Sequence, residues 1–472
     1  MNDNTVVNNS SVLEERKQFI LFKSEGGCSG DGSGIRCDTS SVSGSVSQRA
    51  CVYCGARVVL NPITDAFHIV HGPIGCASYT WDIRGSLSSG DDLYRNSFST
   101  DLRERDVIFG GAEKLTAAIE EVAESYNPKV IFIYATCIVG VIGDDVDAVC
   151  KQMSLKYHVP VIPVKSAGFS GNKSTGYKMA CNAIMEVLLP HKTEHKIQGV
   201  NILGDFNLAG EMWIIKNYLT KMGIPVVSTF TGDASYDNMI KAPQAVLNIV
   251  QCAGSSTYLA ARMEEEFKIP YIKVSFFGIE DTSSSLVRIA DALGDQKARK
   301  KAEEFCMEEA NKAEEFLKVY RPKLKGKKAA VYVGGGFKAI SLIKQFNYMG
   351  MKTVVVGTQT GKKDEYEIIE QLADSDTVIL DDANPAELEK FMKEKGADIL
   401  VGGVKERPLA YKLGIAFCDH NHERKHPLAG FEGIYNFTRE INQSINSPVW
   451  QYLRSQKSGD VYENNNKTIS ES

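Results

Sequence analysis

The sequence predicts an α/β protein: three Rossmann-like, doubly wound domains whose parallel sheets surround a central cleft. Three observations carry this expectation. Short apolar runs rich in β-branched residues, such as KVIFIYATC and VPVIPV, recur between helical stretches, as strands buried on both faces do. Several of these runs lead directly into Gly-rich turns, the strand-to-helix signature of a doubly wound sheet. A chain of 472 residues is also too long for one hydrophobic core, and divides into about three domains.

The elements follow in order. Residues 1–49 read as a polar N-terminal extension whose one pattern is the helix-like SVLEERKQFILF. Its stretch GGCSGDGSGIRCDTSSVSGSVS has the composition of a mobile leader, which makes Cys28 and Cys37 weak ligand candidates. Domain I is expected over 50–197, with 430–472 returning to it. There EKLTAAIEEVAES sets Leu115, Ala118, Ile119 and Val122 on one helical face. Domain II, 198–327, opens on the strand GVNILGDF. The next helix carries Met212, Ile215, Leu219 and Met222 on one face and stops at Gly223. IPVVSTF, AVLNIVQC and IPYIKVSFF follow as strand-like runs, and about Asp295 to Lys327 reads as one charged helix. Domain III, 328–429, keeps the same alternation, with the strand-like KAAVYVGGG, KTVVVGT, DTVILDD and ADILVGG separated by helices.

Composition excludes several classes. A net charge of −5 leaves no electrostatic footprint for nucleic acid or an anionic membrane. No apolar run approaches the roughly 18 residues a membrane span needs. The N-terminus MNDNTVVNNSSVLEERK lacks a basic-then-apolar signal pattern, so the expected location is cytoplasmic. In that reducing compartment the eleven cysteines read as thiols, most of them small core hydrophobes.

Three cysteines stand apart. Cys51 (CVYCGARVVLNP), Cys76 (HGPIGCASYTWDIRG) and Cys137 (IFIYATCIVGVIGDD) sit where strands or helices yield to loops, each near Gly or Pro. Thiolates converging from separate loops suit a polynuclear iron–sulfur cluster, and small residues let the backbone approach its sulfides. Cys51 and Cys54 also form a CxxC, which reads as a redox pair or as half a zinc site with His68 and His71 of HIVH. The loops GDFNLAG and YVGGGFK lack the G-x-G-x-x-G pattern and its acidic partner, and close strand-to-helix packing explains them better than NAD. No GxxxxGK[ST] is present. Cys252 ends AVLNIVQC at a strand's carboxyl end, where ligands bind in such sheets, although a lone cysteine is usually core. DHNHERKHPLAG gathers three histidines in seven residues. Opposite a thiolate they can ligate or guide a cluster, and Lys338, Lys405 and Arg407 offer positive charge for an anion.

HGPIGCASYTWDIRGSLSSG, TDLRERDVIFGGAEKL, IGDDVDAVCK, FFGIEDTSSSLVRIA and INSPVW resemble the nitrogenase component-1 superfamily, over about Arg49 to Trp450. The likeness is to its cofactor-assembly branch, a paralogue of the catalytic α subunit. The resemblance implies that Cys51, Cys76 and Cys137 hold a [4Fe-4S] cluster completed by a partner-subunit cysteine. It implies that Cys252 binds one end of a larger cofactor precursor, an eight-iron cluster. Where the catalytic subunit has a histidine ligand this chain has Asn421, with His422 beside it. Lys173 and Tyr177 replace a glutamine and a substrate-facing histidine, and Lys405 matches a lysine beside homocitrate. The implied function is a scaffold that holds the precursor while molybdenum and homocitrate are inserted. Implied partners are a homologous N-type subunit in an α2β2 heterotetramer, the nitrogenase iron protein, a precursor-donating protein, and the catalytic molybdenum–iron protein as recipient. The alternative is a nitrogenase-like reductase α subunit that keeps its cluster and reduces a small substrate.

Overall fold

The computed structural model describes residues 16–24, 27–28, 35–37, 50–81, 87–88, 96–251, 253–420 and 424–450. The leader supplies two strands, β1 (Ile20–Ser24) and β2 (Gly27–Cys28). The first parallel sheet contains β3 (Ala66–His71), β4 (Ser97–Ser99), β5 (Val130–Ala135) and β6 (Val161–Lys165). The second contains β7 (Ile197–Asp205), β8 (Val226–Thr231), β9 (Ala245–Val250) and β10 (Tyr271–Lys273). The third contains β11 (Lys328–Val333), β12 (Lys352–Thr358), β13 (Val378–Asp381), β14 (Ile399–Gly402) and β15 (Ala416–Asp419).

Strand order explains what each sheet can do. The first runs β4-β3-β5-β6 and the second β10-β9-β7-β8, both wholly parallel. In each, the chain leaves its first strand toward one edge and returns on the other side. A switch point therefore opens between β3 and β5, and another between β7 and β9; ligands bind outside the carboxyl ends of strands at such points. The third sheet runs β15-β14-β11-β12-β13-β1-β2, with its switch between β11 and β14.

Core burial follows the expected faces. Leu115, Ile119 and Val122 are buried, as are Met212, Ile215, Leu219 and Met222. The helix Glu211–Met222 ends at Gly223, whose φ of 84° is left-handed and whose N–H reaches back to Leu219 and Thr220. The charged stretch after Asp295 is one helix, Gln296–Leu324. The leader departs from expectation: the helix-like reading of SVLEERKQFILF fails at its end. Ile20 to Phe22 pair antiparallel with Leu380 to Val378 and extend the third sheet past β13. Helical spacing of apolar residues over so short a segment yields to the edge of a sheet offering free N–H and C=O groups. Arg16 anchors this strand, its Nε on Glu387 at 2.9 Å and an Nη2 on the Asp381 carbonyl at 2.6 Å.

The chain groups into two compact units, Met1–Asp38 with Ala313–Glu423 and Tyr435–Ser472, and Thr39–Lys312 with Arg424–Ile434. Within the second of these, the first sheet packs two helices, Val52–Leu60 and Lys173–Leu188, at near-contact of their backbones. A Cβ on Gly55 would lie 2.2 Å from the Lys173 carbonyl oxygen, and one on Gly176 2.0 Å from that of Val52. Only glycine permits this crossing, and the crossing holds the helix that Cys51 begins.

Candidate metal-cluster site

The three singled-out cysteines each start a helix. Cys51 is the N-cap of Val52–Leu60, Cys76 lies in the first turn of Ile74–Trp81, and Cys137 is the first residue of Cys137–Ile142. Two of them are brought together by topology. Cys76 follows β3 and Cys137 follows β5, the strands that flank the first switch point. The strand ends are tied there: the Thr136 N–H and hydroxyl both donate to the His71 carbonyl, at 3.2 and 3.0 Å. Gly72 is what lets the loops close, since a Cβ there would meet Thr136 Oγ1 at 2.1 Å.

Cys51 joins them through Gly168, in the short turn Gly168–Ser170 after β6. The Gly168 N–H donates to Cys137 Sγ at 3.1 Å. A Cβ on Gly168 would sit 3.0 Å from that sulfur and 3.3 Å from Cys51 Cβ. The bare backbone of this one residue thus touches the Cys137 thiol and lies beside Cys51. Burial raises the Cys76 thiol pKa, and the charges of Cys137 and Cys51 raise it further, while the Thr136 hydroxyl opposes them. The three sulfurs therefore share one electrostatic neighbourhood. Among the described residues no three His, Cys, Asp or Glu gather tightly enough for a single metal ion. A lone tetrahedral ion needs its sulfurs about 4 Å apart. A polynuclear cluster takes each thiolate on a different iron, and three thiols presented from three separate loops are a donor set of that kind.

Sequence reasoning finds the three cysteines but misses Gly168, Thr136 and Gly72. Gly168 lies in the segment GFSGNKSTGYK, and a glycine just past a strand is the available signal. Lys173 begins its helix beside this site, its carbonyl against Gly55, and Tyr177 packs half-buried on the core beneath.

The zinc reading of HIVH fails. Residues three apart on a strand face opposite sides of the sheet, so His68 and His71 cannot share an ion. His68 Nδ1 pairs with the Tyr134 hydroxyl at 2.9 Å. His71 pairs with Thr100 Oγ1 at 3.0 Å and Asp144 Oδ2 at 3.2 Å. Burial lowers both imidazole pKa values, and the Arg57 charge lowers that of His68 further. Cys54 is buried inside its helix near Tyr79, whose phenol pKa burial pushes up to about 12, with the Cys54 and Cys51 charges adding to it.

Cys252, Asn421 and His422 lie outside the described residues. In the unit that holds the third sheet, Lys338 Nζ donates to the His420 carbonyl at 3.3 Å, and Lys405 is exposed in the turn after Gly402. Arg407 approaches Asp419 at 3.7 Å. His420 is buried edge-on to Phe437, their centroids 6.1 Å apart, and His426 is exposed. The glycine loop Gly334–Gly336 presents its helix N-terminus to a carboxyl group of the chain itself: the Phe337 N–H donates to Glu365 Oε1 at 3.1 Å. A Cβ on Gly336 would sit 2.6 Å from Glu365 Cβ. Close packing accounts for the glycines.

Residues 51–446 match the family described as Nitrogenase component 1 type Oxidoreductase. The "Nitrogenase iron-molybdenum cofactor biosynthesis protein NifE" of Clostridium pasteurianum is 68% identical over 448 residues, covering 94% of this chain and 98% of its own. The protein of that name from Methanosarcina barkeri is 52% identical, covering 94% and 97%. A solved structure, "Nitrogenase Cp1 at pH 5", superposes with a TM-score of 0.83 at 31% identity, over 95% of this chain and 97% of that one. The chain belongs to the nitrogenase component 1 family.

Proposed function

We propose that this chain is the E-type subunit of a scaffold for iron–molybdenum cofactor biosynthesis. It holds an iron–sulfur precursor while molybdenum and homocitrate are inserted, then releases the finished cofactor to the catalytic protein. The observation that carries the reading is near-full-length identity of 68% to a protein named for that biosynthesis. The converging thiols at the first switch point support it from the chain's own residues.

In this reading Cys51, Cys76 and Cys137 hold three irons of a [4Fe-4S] cluster, and a cysteine of an N-type partner holds the fourth. The cluster, when bound, supplies a one-electron site. The Gly168 N–H stabilises negative charge on Cys137 Sγ, and Thr136 fixes the loop that presents it. Exposed Ile74, Val141 and Phe169 give this region an apolar surface of the kind a partner subunit covers in an α2β2 assembly. Cys252 is the proposed thiolate for the cargo precursor. Lys338 and Lys405 offer ammonium groups to a carboxylate such as homocitrate, and Lys173, Asn421 and His422 complete the proposed cargo contacts. The iron protein and a precursor-donating protein are the proposed visitors. Among the described residues no helix is long and apolar enough to cross a membrane.

The test is anaerobic purification with the partner subunit, followed by iron, sulfide and molybdenum analysis and EPR. A scaffold carries [4Fe-4S] iron plus a larger cluster that leaves when apo catalytic protein is added. A complex that keeps its large cluster and forms ammonia would be the reductase instead.

A further inference from the structure

Gln251 follows β9 at the second switch point, between β7 and β9, the place in the second sheet that corresponds to the Cys76 and Cys137 loops in the first. Its backbone is held from the neighbouring strand, where its N–H donates to the Leu203 carbonyl at 2.8 Å. One residue earlier, the Val250 carbonyl accepts from Val274 at 2.9 Å. The residue is only 3% exposed, yet neither Oε1 nor Nε2 of its buried side chain has a hydrogen-bond partner. Asn248 on the same strand is orphaned at one end only: its Nδ2 has no partner, but its Oδ1 accepts from Asn201 Nδ2 at 2.8 Å. A buried, unpaired carboxamide is costly, and one that persists in a native fold calls for an explanation, of which a bound partner is one.

We propose that the Gln251 carboxamide is a positioning residue for the cargo, donating N–H to a sulfide or thiolate of an anionic iron–sulfur cluster at the carboxyl end of β9. The inference rests on the scaffold reading. Hydrogen bonds to cluster sulfurs are a known lever on cluster retention and potential. An amide donor also suits temporary holding. It adds no covalent bond to iron, so release requires no ligand exchange at this residue.

The experiment uses the full complex with its partner subunit, carrying Gln251→Met or Gln251→Leu. Each complex is made once in cells that produce the precursor and once in cells lacking its source. Without precursor, both variants are expected to melt at or above the wild-type temperature, because an apolar side chain replaces an orphaned amide. With precursor, both are expected to retain the larger cluster about ten-fold less well, the weight of one hydrogen bond to a charged acceptor. Its EPR signal should shift while the [4Fe-4S] signal stays unchanged. Lower melting of both precursor-free variants would overturn the inference, since it would show a structural partner such as a bound water. Equal retention with an unchanged EPR signal would overturn it as well. A wild-type complex with no iron beyond the [4Fe-4S] cluster would instead overturn the scaffold reading, and the inference with it.

Discussion

Replacing Gly168 with Ala tests the thiol site at its least forgiving point. The added methyl carbon would lie 3.0 Å from Cys137 Sγ and 3.3 Å from Cys51 Cβ. Non-bonded heavy atoms of this kind settle at about 3.5–4.0 Å, so the sulfur must retreat by about 0.5–1 Å. Cluster ligands tolerate only about 0.5 Å of misplacement before the geometry fails. Backbone strain is not the cause, because the left-handed region is not involved at this glycine. The steric term costs about 1–3 kcal/mol, a small part of the stability of a chain with this many buried strands. The variant should therefore fold and keep its far-UV circular dichroism, while its [4Fe-4S] iron falls to a minor fraction and the reduced-state EPR signal is lost. Gly334→Ala is the control, since its methyl would meet nothing within 4 Å. Full iron occupancy with an unaltered EPR signal in Gly168→Ala would refute the claim that these thiols share a cluster at this turn.

Cys76→Ala should abolish the same cluster signal and weaken the heterotetramer, read by sedimentation at micromolar concentration; an intact tetramer with full iron would sink that assignment. Stability should fall in mild acid. His68 is neutral in the fold, with its pKa pushed well below the usual 6.5 by burial and then by Arg57. The unfolded chain binds that proton first, so the contribution is complete above about pH 6.5 and is lost as pH drops below it. Between pH 7 and 5.5 this is on the order of 1 kcal/mol for the one residue. Urea denaturation of His68→Gln should show a shallower loss over that interval, and an unchanged slope would contradict the reading. With iron protein, ATP and reductant, the purified complex should form ammonia at no nitrogenase-like rate, because the phenol of Tyr177 is a poor proton relay near neutral pH beside an imidazole. Ammonia production matching a catalytic molybdenum–iron protein would identify a catalytic subunit.

The sequence by itself determined the class of fold and singled out the three candidate thiols. Parallel strands buried on both faces read as continuous β-branched runs, so VIFIYA and KAAVYV declare themselves without partners, and amphipathic helices such as Glu211–Met222 show their buried stripe and their stop at Gly223. Long local motifs also carried the family. Tertiary structure decided everything that depends on contact between segments far apart in the chain. Which strand lies beside which set the switch points, and those placed Cys76 beside Cys137. A turn more than a hundred residues from Cys51 supplied the Gly168 N–H that touches the site, and nothing in the spacing of GFSGNK encodes that approach. The leader joined the third sheet because β13 offered unpaired backbone groups, a fact about the sheet and not about SVLEERKQFILF. The histidines of HIVH lost their ligand reading to strand geometry and to Tyr134, Thr100 and Asp144. The empty hydrogen-bonding capacity of Gln251 is legible only once its surroundings are known, because an amide is orphaned by what does not reach it.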